Sequence, residues 1–241
     1  MSRPGGVAAT LRHVVAALLA AALLAGCGTP AVAPPATLRP APAGFPADDY
    51  RRLAAQGQPV YRVDAGRSIV VIEVRRGGSM PWLGHDHVVS SHDVAGFVAP
   101  GEGRADLWLP LDTLVVDEPA LRAEAGFTTV PTADDIAGTR RNMLTRVLEA
   151  ERHPYAVVGI RGLDAGGDTV RLRVDITLHG ITRGQAADAH VERSDAALTV
   201  SGTLAIDQTA FGIVPLSVLG GAIAVQDRLQ MRYRIHALRL P

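Results

Sequence analysis

The chain has 241 residues, and its strong acids and bases balance at 24 each, so it carries no net formal charge. That balance excludes the basic footprint of a nucleic-acid binder and of a polybasic membrane patch. Every strong base is arginine and Cys27 is the only cysteine.

Arg3, Arg12 and His13 make a basic start, and residues 14–24 are an unbroken apolar run rich in Ala and Leu. The run is short beside the roughly 20 residues of a membrane-spanning helix, and it has the build of a signal-peptide core. It ends Leu24-Ala25-Gly26-Cys27, which resembles the lipobox of bacterial lipoproteins. The resemblance implies a signal peptide over 1–26, cleavage before Cys27, and diacylglycerol on the Cys27 sulfur. Lipidation would also remove an unpaired thiol from an oxidising compartment. An ordinary secretory signal with a cysteine near the cut is the competing reading. As the resemblance implies, the mature protein carries two or three acyl chains, enough for stable anchoring where one is marginal. Gly28 stands where inner-membrane retention goes with aspartate, which favours the outer membrane. The expected location is the cell envelope, lipid-anchored and facing the periplasm.

Residues 27–59 read as the lipidated cysteine and a tether. Pro30, Pro34, Pro35, Pro40, Pro42 and Pro46 are interleaved with alanine, a composition that favours extended chain over a core. A helical turn is expected at 48–53. From 60 to 241 the chain has the size of a single domain.

The dominant signal there is alternation with period two. Val170, Leu172, Val174, Ile176 and Leu178 alternate with polar residues, as do Leu198, Val200, Gly202, Leu204 and Ile206, and Leu229, Met231, Tyr233 and Ile235. Such alternation marks strands with one dry face, as in antiparallel sheets. Further strands are expected at 61–63 with 69–74, at 88–98 paired with 104–116, at 155–163 paired with 170–179, and at 183–193. One helix interrupts them. Thr132 and Asp135 form a capping box for it, Ile136, Met143, Leu144, Val147 and Leu148 share its apolar face, and His153-Pro154 ends it. About eight half-dry strands can hide their faces in a closed barrel, which also removes exposed edges. The fold class is therefore all-β, an antiparallel eight-stranded barrel with one or two short helices, and the helix should cover one opening.

Several stretches taken in order are similar to the YceI-like family. They are Tyr61-Arg62-Val63-Asp64 with the strand 68–74, the helix running into Glu151-Arg152-His153-Pro154-Tyr155, Leu178-His179-Gly180-Ile181-Thr182-Arg183, and Phe211-Gly212-Ile213. The resemblance implies a lipocalin-like barrel that binds polyisoprenoid or other long apolar molecules. Two family histidines are replaced here by Arg67 and by the pair Arg75-Arg76.

The inward set proposed from alternation is Val70, Ile72, Val74, Leu172, Val174, Ile176, Val200, Leu204, Leu229, Met231 and Tyr233. It reads either as the wall of an apolar pocket or as a close-packed core. The family resemblance favours the pocket, with an isoprenoid or other lipid as bound partner and no cofactor. Burial at roughly 0.8 kcal/mol per methylene would suffice for binding. His85 and His87 lie two apart, so on a strand both rings face one side. They are expected to hydrogen-bond a ligand head group at the barrel mouth. The alternative is a metal or haem-associated redox site, with His179 or Asp86 joining His85 and His87. No nucleophile elbow, free catalytic cysteine or phosphate loop is present, so no catalytic residue is assigned and an enzyme is not expected.

Overall fold

The computed structural model describes residues 40–163 and 167–241. The expected signal peptide, Cys27, the expected tether as far as residue 39, and residues 164–166 lie outside the described residues.

Eight antiparallel strands close into an up-and-down barrel. The first is bent into β1 (Tyr61–Val63) and β2 (Ile69–Val74), and the second into β4 (His87–Ser91) and β5 (Ala95–Ala99); a short β3 (Arg76–Gly77) lies between them. The third divides likewise into β6 (Arg104–Pro110) and β7 (Val115–Val116). The remaining strands are β8 (Tyr155–Arg161), β9 (Thr169–Leu178), β10 (Ile181–Arg193), β11 (Ala197–Asp207) and β14 (Arg228–Arg239). Neighbours along the chain are neighbours in the sheet, and β14 closes the ring by pairing with both β1 and β2. The expected pairing of 88–98 with 104–116 is present, with each strand broken in the middle.

The first break and the close approach of β5 to β6 have local causes. At the first, the Asp64 carboxylate accepts from the Gly66 N–H at 3.1 Å. Ser68 Oγ accepts from the His236 N–H at 3.0 Å, which fills the gap that the bend leaves in the β14 ladder. At Gly96, where φ is 149°, a Cβ would stand 2.3 Å from the Asp106 carbonyl oxygen, so only glycine lets β5 pass this close to β6.

Two devices cover the upper end of the barrel. One is α3 (Ala133–Asn142), opened by the Thr132–Asp135 capping box, following the short α2 (Pro119–Glu124). It continues as a single π-helical turn, Met143–Val147, so the apolar face shifts and the helix ends near Leu148, before His153-Pro154. The other is a small sheet of β12 (Ser217–Val218), β13 (Ile223–Val225) and β3.

The folded unit also begins earlier than alternation marked. The turn expected at 48–53 is a full helix, α1 (Ala47–Ala55), lying within residues that composition gave to the tether. It packs on the outer wall of β5 and β6. Tyr50 is wholly buried, stacks on Phe97 with ring centroids 5.3 Å apart, and donates to Asp106 Oδ2 at 2.7 Å.

Candidate ligand cavity

The barrel is hollow at its upper end and solid at its lower end. Ala187, Ala189, Val191, Leu198 and Ala237 are buried and pack together below. Above them lies a cavity of about 540 Å³, within the roughly 300–1,000 Å³ of small-molecule sites. Val70, Ile72, Val74, Leu172, Val174, Ile176, Val200, Leu204, Leu229, Met231 and Tyr233 all line it, as do His85 and His87. Several of these point inward yet keep accessible surface: Val70, Leu204, Leu229, Met231 and Tyr233 are only half-buried. In a filled barrel the same alternation would leave them with none.

Period two explains most of the wall, and small residues explain the rest. Gly202 stands opposite Tyr233 on β14, and a Cβ there would fall 2.7 Å from the Tyr233 hydroxyl oxygen. Glycine thus leaves room for the phenol to swing over the cavity. Burial pushes the Tyr233 phenol above its ordinary pKa, so it stays protonated at neutral pH. The helix contributes Thr139, Met143, Val147 and Leu148 as a lid, and the small sheet contributes Val218, Ile223 and Val225.

Polar groups gather where lid and wall meet. Arg76, His85, His87, Asp135 and Thr139 line that end. His87 Nδ1 lies 2.6 Å from Asp117 Oδ2. The other Asp117 oxygen accepts from Arg122 Nη1 at 2.6 Å and from the Val88 N–H at 3.0 Å. Burial alone would raise the Asp117 pKa, but these three donors outweigh it and hold the carboxyl below its ordinary range. Asp117 is therefore ionised, Nδ1 of His87 carries the shared hydrogen, and Nε2 faces the Thr139 hydroxyl at 3.3 Å. The arrangement locks the ring in one orientation. His85 lies two residues ahead of β4, its ring centroid 6.1 Å from that of His87. Its Nε2 is 3.7 Å from Asp135 Oδ2, and its Nδ1 is buried with no hydrogen-bond partner. A hydroxyl or phosphate on a bound molecule could satisfy that atom.

The alternative metal set is not assembled. His179 lies instead with Glu149 and His153. Asp86 turns away from the cavity, accepting from the Arg76 N–H at 3.0 Å. His92 pairs with Glu118 at 2.8 Å and has no place in the cavity wall. Both ring nitrogens of His87 already have partners, which leaves no pair of free imidazoles there. Sequence reasoning missed Asp117, Arg122 and Thr139. An Asp-Glu pair directly after a strand was the available signal, and it carried no spacing that pointed to His87.

The exposed apolar side chains of the upper end form a rim. Trp82 is 68% exposed and Leu219 73% exposed, with Met80 and Leu83 also exposed. The Met80 N–H donates to the Ala222 carbonyl at 2.8 Å and the Ser79 N–H to that of Gly221 at 3.2 Å, so the two loops that carry the rim are joined.

A family model described as the YceI-like domain matches residues 61–237. Comparison with curated proteins gives no match. Two solved structures share the fold. One is a polyisoprenoid binding domain from Saccharophagus degradans, implicated in plant cell wall breakdown. It is 12% identical, with a TM-score of 0.53 over 75% of this chain and 98% of that one. The other is BcnA from Burkholderia cenocepacia, 15% identical, with a TM-score of 0.50 over 72% of this chain and 98% of that one.

Proposed function

The chain belongs to the YceI-like family, and from that premise we propose that it is a cell-envelope lipoprotein whose barrel binds a long apolar molecule of isoprenoid type, without turnover. The observation that carries this reading is the unfilled apolar cavity beneath a lid, lined by inward residues that still have surface to bury. The polyisoprenoid binding described for the Saccharophagus domain supports the ligand class. Binding is by burial and needs no cofactor. The head group sits against His85, His87 and Thr139, where one buried nitrogen lacks a partner. Lipid on Cys27 keeps the barrel at the periplasmic face of its membrane, the outer one by the residue at 28. The rim of Trp82, Leu83 and Leu219 then rests on the bilayer from which ligand enters.

Native mass spectrometry and solvent extraction of the full-length protein, purified in mild detergent, test the reading. A bound lipid of discrete mass, diminished in His85→Ala, is expected. A bare protein that added polyprenols do not stabilise against heat would overturn it.

A further inference from the structure

Outside the cavity, one cluster of side chains among the described residues has the composition of a metal site. Glu149 follows the π-helical turn, His153 precedes β8, and His179 occupies the turn between β9 and β10. Their ligand atoms all lie within 4.8 Å of one another. Glu149 Oε1 is 3.8 Å from His179 Nε2, and the two imidazole centroids are 4.6 Å apart.

From this geometry we infer that Glu149, His153 and His179 bind a divalent transition ion of the zinc type. Two imidazoles and one carboxylate are a set that zinc accepts, with a fourth position left for water. Nitrogen and oxygen ligands at about 2.0–2.2 Å from a tetrahedral ion lie roughly 3.3 Å from each other. Closing the set therefore requires movements of about 1.5 Å or less, within the reach of side-chain rotation.

Three features prepare the site. His179 Nε2 is buried and has no hydrogen-bond partner, although a carboxylate lies close by. Arg152 donates to Glu149 Oε2 at 2.6 Å, which fixes the carboxylate and turns Oε1 toward His179. Outer partners of this kind orient metal ligands and tune affinity. The third feature is backbone: His179 and Gly180 have φ of 52° and 76°, the two positive values of a tight hairpin turn. Gly180 is needed as glycine, since a Cβ there would press on the His153 ring at 3.1 Å. The turn itself would accept asparagine at 179, so its geometry does not account for an imidazole aimed inward.

The ion would act as a clasp. Leu148 and Leu178, next to Glu149 and His179, both line the cavity. Bound metal would fix the end of the lid helix to the β9–β10 turn. The site stands apart from His85 and His87 and does not depend on the identity of the apolar ligand.

The test is zinc titration of full-length, untagged protein, stripped of metal by chelation, against a chromophoric competitor. One zinc per chain is expected, together with a rise in melting temperature. His179→Asn keeps a residue suited to positive φ and should melt like wild type without metal. It should bind zinc at least about a hundredfold more weakly, as should His153→Ala. Arg152→Ala should weaken binding about tenfold to a hundredfold. His85→Ala, although it diminishes bound lipid, should leave the zinc affinity as in wild type. No zinc bound by wild type, or binding that survives His179→Asn and disappears in His85→Ala, overturns the assignment.

Discussion

Filling the cavity from its own wall separates a hollow barrel from a solid one. Leu204 on β11 faces Met231 across the β11–β14 ladder, and both line the cavity while half-buried. In a close-packed core, added bulk costs about 1–3 kcal/mol or more through displaced rotamers and backbone. Beside about 540 Å³ of free space, Leu204→Trp meets no such resistance. The upper bound on the gain is large: at roughly 24 cal/mol per Å³, a closed void of this size forgoes about 13 kcal/mol. That is as much as the whole stability of a typical domain, about 5–15 kcal/mol. Water entering at the mouth reduces the figure to a fraction, but its sign holds. Leu204→Trp should therefore change the stability of stripped protein by less than about 1 kcal/mol, or raise it, while abolishing lipid binding. Val191→Trp is the control, because Val191 is 1% exposed in the solid end; it should cost more than about 3 kcal/mol by the overpacking argument. Urea unfolding of both variants after solvent extraction, with native mass spectrometry for bound lipid, gives both readouts. Equal destabilisation by the two substitutions would refute the reasoning, as would undiminished lipid in Leu204→Trp.

The cavity wall was legible because one physical rule governs it. A residue two positions along a strand returns to the same face, so Val70, Ile72, Val74, Leu172, Val174 and Ile176 could be placed inward before the strands were paired. Whether that face encloses space was not legible, since Leu204 and Leu198 look alike as letters. The first is half-buried on the cavity and the second 2% exposed in the solid end. The His85–His87 pair was legible as a motif, although His85 precedes the strand and alternation covers only His87. The Asp117 partner of His87 was not legible, being 30 residues away along the chain. Helix α1 was hidden by its surroundings. A proline-rich composition obscured a single tyrosine whose burial against Phe97 and Asp106 depends on long-range contacts. His153 reads as a helix stop, and the alternative metal reading groups His179 with His85 and His87, whereas the fold places it beside Glu149 and His153. Local sequence gave no means of bringing a hairpin turn next to the end of a helix.

Other substitutions probe the remaining elements. Tyr50→Phe keeps the stack on Phe97 but removes one donor to the Asp106 carboxylate, and should cost about 1–3 kcal/mol by urea unfolding; a value near zero would detach α1 from the folded unit. Trp82→Ser with Leu219→Ser should slow lipid transfer from vesicles without lowering the melting temperature, and unchanged transfer would remove the rim from the entry route. Asp117→Asn strips Arg122 and His87 of a shared, buried partner, and should cost about 3–5 kcal/mol at neutral pH. The pH dependence of that loss has a defined sign. The three donors hold the Asp117 carboxyl below its ordinary value of 3.8 in the folded state. Its contribution is thus complete above that value and is lost as pH falls through the lower, folded one. Below about pH 4, wild type should lose stability more steeply than Asp117→Asn, and the two unfolding curves should converge in acid. Parallel curves down to the acid limit would show that Asp117 contributes through shape and not through charge, and would remove the reason for fixing the hydrogen on Nδ1 of His87.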